Sequence, residues 1–245
     1  KEKKIIGYGS PAKATTALNF FNVSQEIDFI VEDNKLKHGK FIPGVKIPIV
    51  NKDKILDKNN TILVLAWNFY KDIKEILADD GVCVIQVSYL LDTIRDMNFY
   101  DVVHEHLEYY SLKSINYLME KNGLTVIDAS TNPVNGGSLR VLITHIENNK
   151  LKSKRYEEIL SEEGKWNLQN INTYNNYENK IQDIIKKAKD FILKEINGGG
   201  MVIGLGASTK GNVLLQICGI TKELLPYISD RNKEKVGLHT LGTDI

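Results

Sequence analysis

Several residue groups in this chain have the types and spacing to do chemistry. Gly7, Gly9 and Ala12 fit a G-x-G-x-x-G/A fingerprint, with Lys13 directly after it and Glu32 at the end of the next apolar run. Glycines at this spacing let backbone approach an anion, and a following helix offers free N–H groups and a partial positive charge at its N-terminus. Glu32 or Asp33 stands roughly where the fingerprint puts a ribose-binding carboxylate. The same glycines also suit the close packing of any strand–helix turn. A second group, His104-Glu105-His106, is followed by Tyr109 and Tyr110. An imidazole with an unperturbed pKa of about 6.5 can act as a general base, and a neighbouring carboxylate can hold its tautomer. In an extended stretch Glu105 would point away from His106, so their cooperation requires a turn. Surface or hydrogen-bonded core positions would account for these residues equally well. A metal site is not expected, because two histidines at i and i+2 need a third ligand that no Cys or His cluster supplies. In NGGSLR, Gly136, Gly137, Ser138 and Arg140 combine close backbone approach with a guanidinium for phosphate or carboxylate; a plain glycine turn before a strand is the alternative.

The elements that must position these residues read as α/β. Residues 4–9 form a short buried strand running into glycines, and Ser10 and Pro11 open a helical stretch. IDFIVED and TILVLAW (61–67) are further strands, separated by a loop rich in glycine and proline. A helical stretch from Phe69 to Leu77 precedes the strand GVCVIQV at 81–87. SLKSINYLMEKNGLTVIDAS then reads as helix, Gly123 stop and strand, and NGGSLRVLITH as a hairpin or sheet edge. Such alternation predicts a Rossmann-like, doubly wound parallel sheet. From about 155 to 196, Tyr174, Tyr177, Ile181, Ile184, Ile185, Ala188, Phe191, Ile192 and Ile196 mark one face of a long helix, stopped by Asn197 and the glycines after it. These elements suggest four segments: a Rossmann-like unit at 1–78, the second half of an α/β domain at 79–150, a helical connection at 151–198 and a truncated Rossmann-like unit at 199–245.

The last segment restarts the first. Ile6, Gly7, Gly9 and Lys13 correspond to Ile203, Gly204, Gly206 and Lys210. After a one-residue slip, Asn34, Lys35, Lys37, Gly39, Gly44 and Ile47 correspond to Asn232, Lys233, Lys235, Gly237, Gly242 and Ile245. The second copy adds Ser208, a hydroxyl beside the cation of Lys210, and ends its strand on Asp230. Gly7, Gly9, Lys13 and Glu32, with Gly204, Gly206 and Asp230, are thus candidate nucleotide-cradle residues.

With 42% hydrophobic and 26% charged residues and a net charge of +1, the 245-residue chain falls among ordinary globular proteins. No basic stripe interleaved with aromatics suggests nucleic acid. Cys83 and Cys218 lie apart in apolar runs, so neither a disulfide framework nor a zinc cluster is expected. With no signal peptide or transmembrane-length stretch, the expected compartment is the cytoplasm. A start at Lys1 and a stop at Ile245 in mid-pattern suggest a fragment or a rearrangement.

Taken in order, NFYDVVHEHLEYYSL, GLTVIDAS, NGGSLRVLITH, IGLGASTKGNVLLQICGI and SDRNKEKVGL resemble the sugar C-methyltransferase family over residues 79–245. Members methylate a carbon of a nucleotide-linked keto sugar with S-adenosylmethionine. The resemblance implies a zinc-binding N-terminal part, a methyltransferase Rossmann domain and a C-terminal α/β domain that helps hold the nucleotide sugar. Residues 4–78 look like that C-terminal domain rather than the donor-binding half. Neither the zinc cysteines nor the acidic glycine-rich donor loop is visible in the sequence. The implied reaction is proton abstraction next to a ketone, then attack of the enolate carbon on the sulfonium methyl. His106, Glu105 and His104 match the family's Tyr-His-Glu-His signature, with His106 as base, while Val103 occupies the tyrosine position. Gly136, Gly137, Ser138 and Arg140 would lie towards the sugar nucleotide, joined by Ser208, Lys210 and Asn212. Two other functions compete with this one. One is a non-catalytic nucleotide-sugar-binding protein; the other, resting on Gly7, Gly9, Ala12 and Glu32, is an NAD(P)-binding oxidoreductase domain.

Overall fold

The computed structural model describes residues 5–10, 14–15, 18–19, 25–55, 61–64, 73–75, 77–102 and 108–245. The chain divides into two compact units, Lys1–Ser88 with Tyr110–Lys165 and Tyr89–Tyr109 with Trp166–Ile245.

The first unit is built on a seven-stranded sheet. Its strands are β1 (Ile5–Tyr8), β2 (Ile27–Val31), β3 (Ile49–Val50), β4 (Thr61–Val64), β5 (Cys83–Ser88), β6 (Leu124–Asn132) and β7 (Ser138–His145). The order is β3-β2-β1-β4-β5-β7-β6. Neighbours from β3 to β5 pair in parallel, and β7 pairs antiparallel with both β5 and β6. This is the α/β, Rossmann-like arrangement expected from alternating strand and helix patterns, closed at one side by an antiparallel hairpin. Two details depart from the linear reading. Ile49–Val50, read as loop, forms the outer strand β3, because two residues suffice to extend the ladder beside Ile30 and Val31. The strand β7, read as a hairpin or sheet edge, does form a hairpin with β6, but it is the interior strand of the two and β6 is the edge. A hairpin fixes that β6 and β7 are neighbours but not which of them meets β5. The β7 pattern, with Leu139, Val141 and Ile143 fully buried, suits the inner position.

Two helices of this unit are described along their whole length. The first, Leu112–Lys121, starts in a capping box in which the Ser111 side chain accepts from the Ser114 amide, and it packs on β6. The second, Lys154–Trp166, carries the buried Glu163, whose carboxylate accepts from the amides of Leu112 (2.5 Å) and Lys113 (3.1 Å) at the first helix's N-terminus. A negative group there complements the free amides and the positive end of the helix dipole.

In the second unit, residues Leu90–Arg95 form a helix and Phe99–Asp101 a 3-10 turn. A 27-residue helix, Ile171–Asn197, ends at Gly198, and a further helix, Thr209–Cys218, ends at Gly219 in the left-handed conformation. In chain order the helices are α1 (Leu90–Arg95), α2 (Leu112–Lys121), α3 (Lys154–Trp166), α4 (Ile171–Asn197) and α5 (Thr209–Cys218). The unit's core gathers Ile192, Cys218, Ile220, Leu225 and Ile245, with Ile185 and Ile196 of α4 against it. Phe191, read with this face, is instead 62% exposed, because the small core is wide enough for only the stripe of Ile185, Ile192 and Ile196. The remaining strands, β8 (Gly204–Leu205) and β9 (Ile228–Ser229), pair in parallel. Among the described residues no helix is long and apolar enough to cross a membrane.

Candidate functional site

In α/β sheets of this order, ligands bind at the carboxyl ends of the strands where the strand order reverses. Here that point lies between β1 and β4, at the turn Gly9-Ser10. Gly7 lies within β1, opposite Ile30 and Leu63 of the adjacent strands. Gly9 turns the chain with φ 87°, and its amide donates to Val31 O at 2.7 Å. Glu32, at the end of β2, is buried and closes the turn. It accepts from the Ser10 amide (3.0 Å), the Ser10 hydroxyl, the Asn34 amide (3.1 Å) and Lys37 Nζ (3.0 Å). Lys37 Nζ also donates to Ser10 O at 3.1 Å. Burial alone would raise the Glu32 pKa. The Ser10 hydroxyl, the Asn34 amide, the Lys37 ammonium and the Ser10 amide outweigh it and bring the carboxyl from 4.5 down to about 2.

The second copy builds the same clasp from different residues. Gly206 turns with φ 89° and donates to Ser229 O at 2.7 Å. Asp230 accepts from the Ala207 amide (2.7 Å), the Asn232 amide (2.8 Å) and Lys235 Nζ (3.4 Å), and Lys235 Nζ donates to Ala207 O at 2.6 Å. The Asn232 and Ala207 amides, with Lys235 adding to them, hold Asp230 below the usual carboxylate range. Beyond the clasp the correspondence continues. Asn34 and Asn232 each cap a 3-10 turn, and Asn19 Nδ2 donates to Pro43 O (2.8 Å) as Gln216 Nε2 donates to Leu241 O (2.7 Å). Gly204 of β8 pairs with Ile228 as Gly7 pairs with Ile30. What differs is coverage. Ile6 and Tyr8 are each 1% exposed between β2 and β4, whereas Ile203 and Leu205 are 60% and 91% exposed beside β9 alone.

The remaining candidates sort by unit. Lys13, His104, Glu105 and His106 lie outside the described residues. In the first unit, Gly136 and Gly137 take φ of 82° and 121°, and the Ser138 hydroxyl donates to Val134 O at 2.9 Å. Arg140 projects from β7 and donates through Nε and Nη2 to Gln86 Oε1 on β5, at 3.1 and 3.0 Å. In the second unit, Ser208 caps α5 by accepting from the Gly211 amide at 3.0 Å. Lys210 forms an ion pair with the buried Asp101 and sits 5.7 Å from the centre of the Tyr100 ring. The Oδ1 of Asn212 is buried with no hydrogen-bond partner among the described residues. The clasp residues Ser10, Lys37 and Lys235, and the Asp101 partner of Lys210, were not legible as site residues. The only sequence signal was the repeated Asn-Lys spacing after each strand.

The family described as the C-methyltransferase C-terminal domain matches residues 1–87 and 133–245. The chain belongs to this C-methyltransferase family. Its two matched segments contain the two copies of the clasp, and the unmatched stretch between them contains His104, Glu105 and His106. The chain is also 30% identical over 165 residues to C-methyltransferase NovU of Streptomyces niveus, an overlap covering 67% of this chain and 39% of that protein. It therefore spans about two fifths of the length of the curated relative it matches.

Methyltransferases of this kind use S-adenosylmethionine in general. A carboxylate at the end of the second strand would grip that donor's ribose only with lone pairs to spare. Glu32 already takes four donors and Asp230 three. Glu32 therefore has no lone pair left for a ribose, whether of the methyl donor or of a dinucleotide, and no described residue is assigned to the donor.

Proposed function

We propose that this chain takes part in the C-methylation of a nucleotide-linked keto sugar, binding the nucleotide sugar and removing the proton next to its ketone, with S-adenosylmethionine as the methyl donor of the reaction. What carries the reading is the match to a C-methyltransferase C-terminal domain over both copies of the repeat. His106 is the base: it takes the proton, and the C–H electron pair passes into the substrate's enolate. Glu105 and His104 hold its protonation state. Gly136, Gly137, Ser138 and Arg140 approach the sugar nucleotide, as do Ser208, Lys210 and Asn212. The glycine turns at Gly7-Gly9 and Gly204-Gly206 are each held in shape by a carboxylate clasp, and because the Gly9, Ser10, Gly206 and Ala207 amides already donate within the fold, each turn shapes its own unit rather than donating to a phosphate.

Titration calorimetry with UDP-glucose and dTDP-glucose tests the binding step. Saturable binding is expected, and absence of binding to both would overturn the reading. For the base, His106→Ala is expected to abolish solvent-deuterium exchange at the carbon next to the ketone of a bound keto sugar; retained exchange rejects His106. The engaged carboxylates favour a second reading, a nucleotide-sugar-binding protein without methyl transfer. It predicts nucleotide-sugar binding with no heat on addition of S-adenosylmethionine, and saturable donor binding would remove it.

A further inference from the structure

On the first unit's sheet, the neighbouring strands β5, β7 and β6 carry a polar cluster that the clasps do not use. Gln86 of β5 lies directly opposite Arg140 of β7, and Arg140 opposite Ser130 of β6, so the three residues share one face. Gln86 and Arg140 are both exposed. Arg140 donates through Nε and Nη2 to the single oxygen Gln86 Oε1, at 3.1 and 3.0 Å, and Asn132 Nδ2 donates to the same oxygen at 3.3 Å. A guanidinium only donates, so this contact orients the amide: its oxygen faces Arg140, and its NH2 group is left over.

What the cluster lacks is an acceptor and a negative charge. The Gln86 oxygen is filled by its donors, and the Asn132 oxygen accepts from the Val134 amide at 3.1 Å. Arg140 Nη1 and Gln86 Nε2 have no acceptor among the described residues. Nor does any described carboxylate pair with Arg140, whereas Arg95 is paired with Asp92 and Asp96. Asp128, two residues from Ser130 on β6, is already paired with Arg155. Held by a neutral amide instead of an acid, Arg140 keeps its whole charge while its plane is fixed, the state that suits forked recognition of an oxyanion. A carboxylate would be used up by the guanidinium alone, while a diphosphate has oxygens for both residues.

We propose that Arg140 and Gln86 form the site for the diphosphate of the nucleotide sugar, the guanidinium and the Gln86 amino group both donating to its oxygens. The proposal rests on the nucleotide-sugar reading above and adds to it Gln86 and the group that is bound. Gln86→Glu keeps the side chain's length and its bonds to Arg140 but cancels the charge. Calorimetry on wild type and variant, with pyrophosphate, UDP-glucose and dTDP-glucose, reads the effect. Wild type should bind pyrophosphate saturably, and more weakly as salt is raised. The variant should lose about tenfold or more in affinity for pyrophosphate and for the nucleotide sugar that wild type binds. Its thermal midpoint should hold or rise, since a charged pair replaces a neutral partner. Wild type that binds no pyrophosphate, a variant that binds it equally well, or a lowered midpoint each overturns the site while leaving the binding reading intact. A variant weakened for pyrophosphate but not for the nucleotide sugar also overturns the assignment, because the diphosphate then lies elsewhere. Pyrophosphate binding that the variant loses, with neither nucleotide sugar bound by wild type, overturns the nucleotide-sugar reading and leaves the anion site standing.

Discussion

Glu32 shows how one residue type serves two opposed demands. Burial favours the neutral acid, yet four donors aimed at its oxygens keep it charged at about 2 instead of 4.5. A carboxyl whose folded pKa is depressed contributes stability that is fully present above its unfolded value and is lost as pH falls through the folded one. The contribution of Glu32 is thus complete above about pH 4.5 and disappears towards about pH 2, with a magnitude on the order of a few kcal/mol. Glu32→Gln should lower the urea midpoint at neutral pH and flatten its dependence between those two values, as followed by circular dichroism. An unchanged midpoint would show that the clasp does not stabilise the turn. The sequence places Glu32 at a strand end, where the fingerprint suggests a ribose ligand, and the structure shows a clasp there instead. Choosing between them needed the positions of Lys37 and the Ser10 hydroxyl, which approach only once β1 and β2 pair.

Among the elements, the two copies form a natural comparison: similar local sequence, different neighbours. Local features carry across, such as positive φ at Gly9 and Gly206 or at Gly44 and Gly242, because turns are specified by nearby residues. Burial does not carry across. Ile6→Ala, 1% exposed on a strand paired on both sides, should cost about 2–5 kcal/mol, whereas Ile203→Ala, 60% exposed, should stay within about 1 kcal/mol. Comparable losses in urea unfolding would contradict the difference in coverage. The glycines give a second contrast. Alanine at Gly44 or Gly242 suffers the left-handed backbone penalty of about 1–2 kcal/mol. A Cβ at Gly44 would also sit 1.8 Å from the Asn19 side-chain oxygen, while at Gly242 the nearest atom is Gln216 Cδ at 3.4 Å. Asn19 is held by its bonds to Thr15 O and Pro43 O, so Gly44→Ala should be the more damaging of the pair by thermal melting. The repeat itself was legible from spaced glycines and the Asn-Lys pattern. The insertion of β7 between β5 and β6 was not, because a hairpin's two strands are equivalent until a third strand chooses one.

At the scale of the whole molecule, the two units differ in how much apolar surface each encloses. The first buries a continuous sheet with helices against it, and Cys83 lies at its centre on β5, fully covered. The second relies on a handful of aliphatic side chains around Cys218, beside a two-stranded ladder whose Ile203 and Leu205 face solvent. Burial lifts both thiols above the ordinary cysteine value, Cys83 to about 12, so neither should react with a thiol reagent in the native chain. Each thiol then reports the opening of its own unit. Opening free energies follow the local density of buried contacts, and small cores with solvent-facing ladders open first. Pulse labelling across a urea series, read by mass spectrometry of the two cysteine peptides, should show Cys218 modified at lower urea than Cys83. Adding a bound nucleotide sugar should move the Cys218 transition upward, because a ligand that binds only the folded unit stabilises it by mass action. Coincident labelling of the two thiols would mean that the units unfold as one. A Cys218 transition unmoved by a saturating nucleotide sugar would mean that the ligand does not engage the unit containing Ser208 and Lys210.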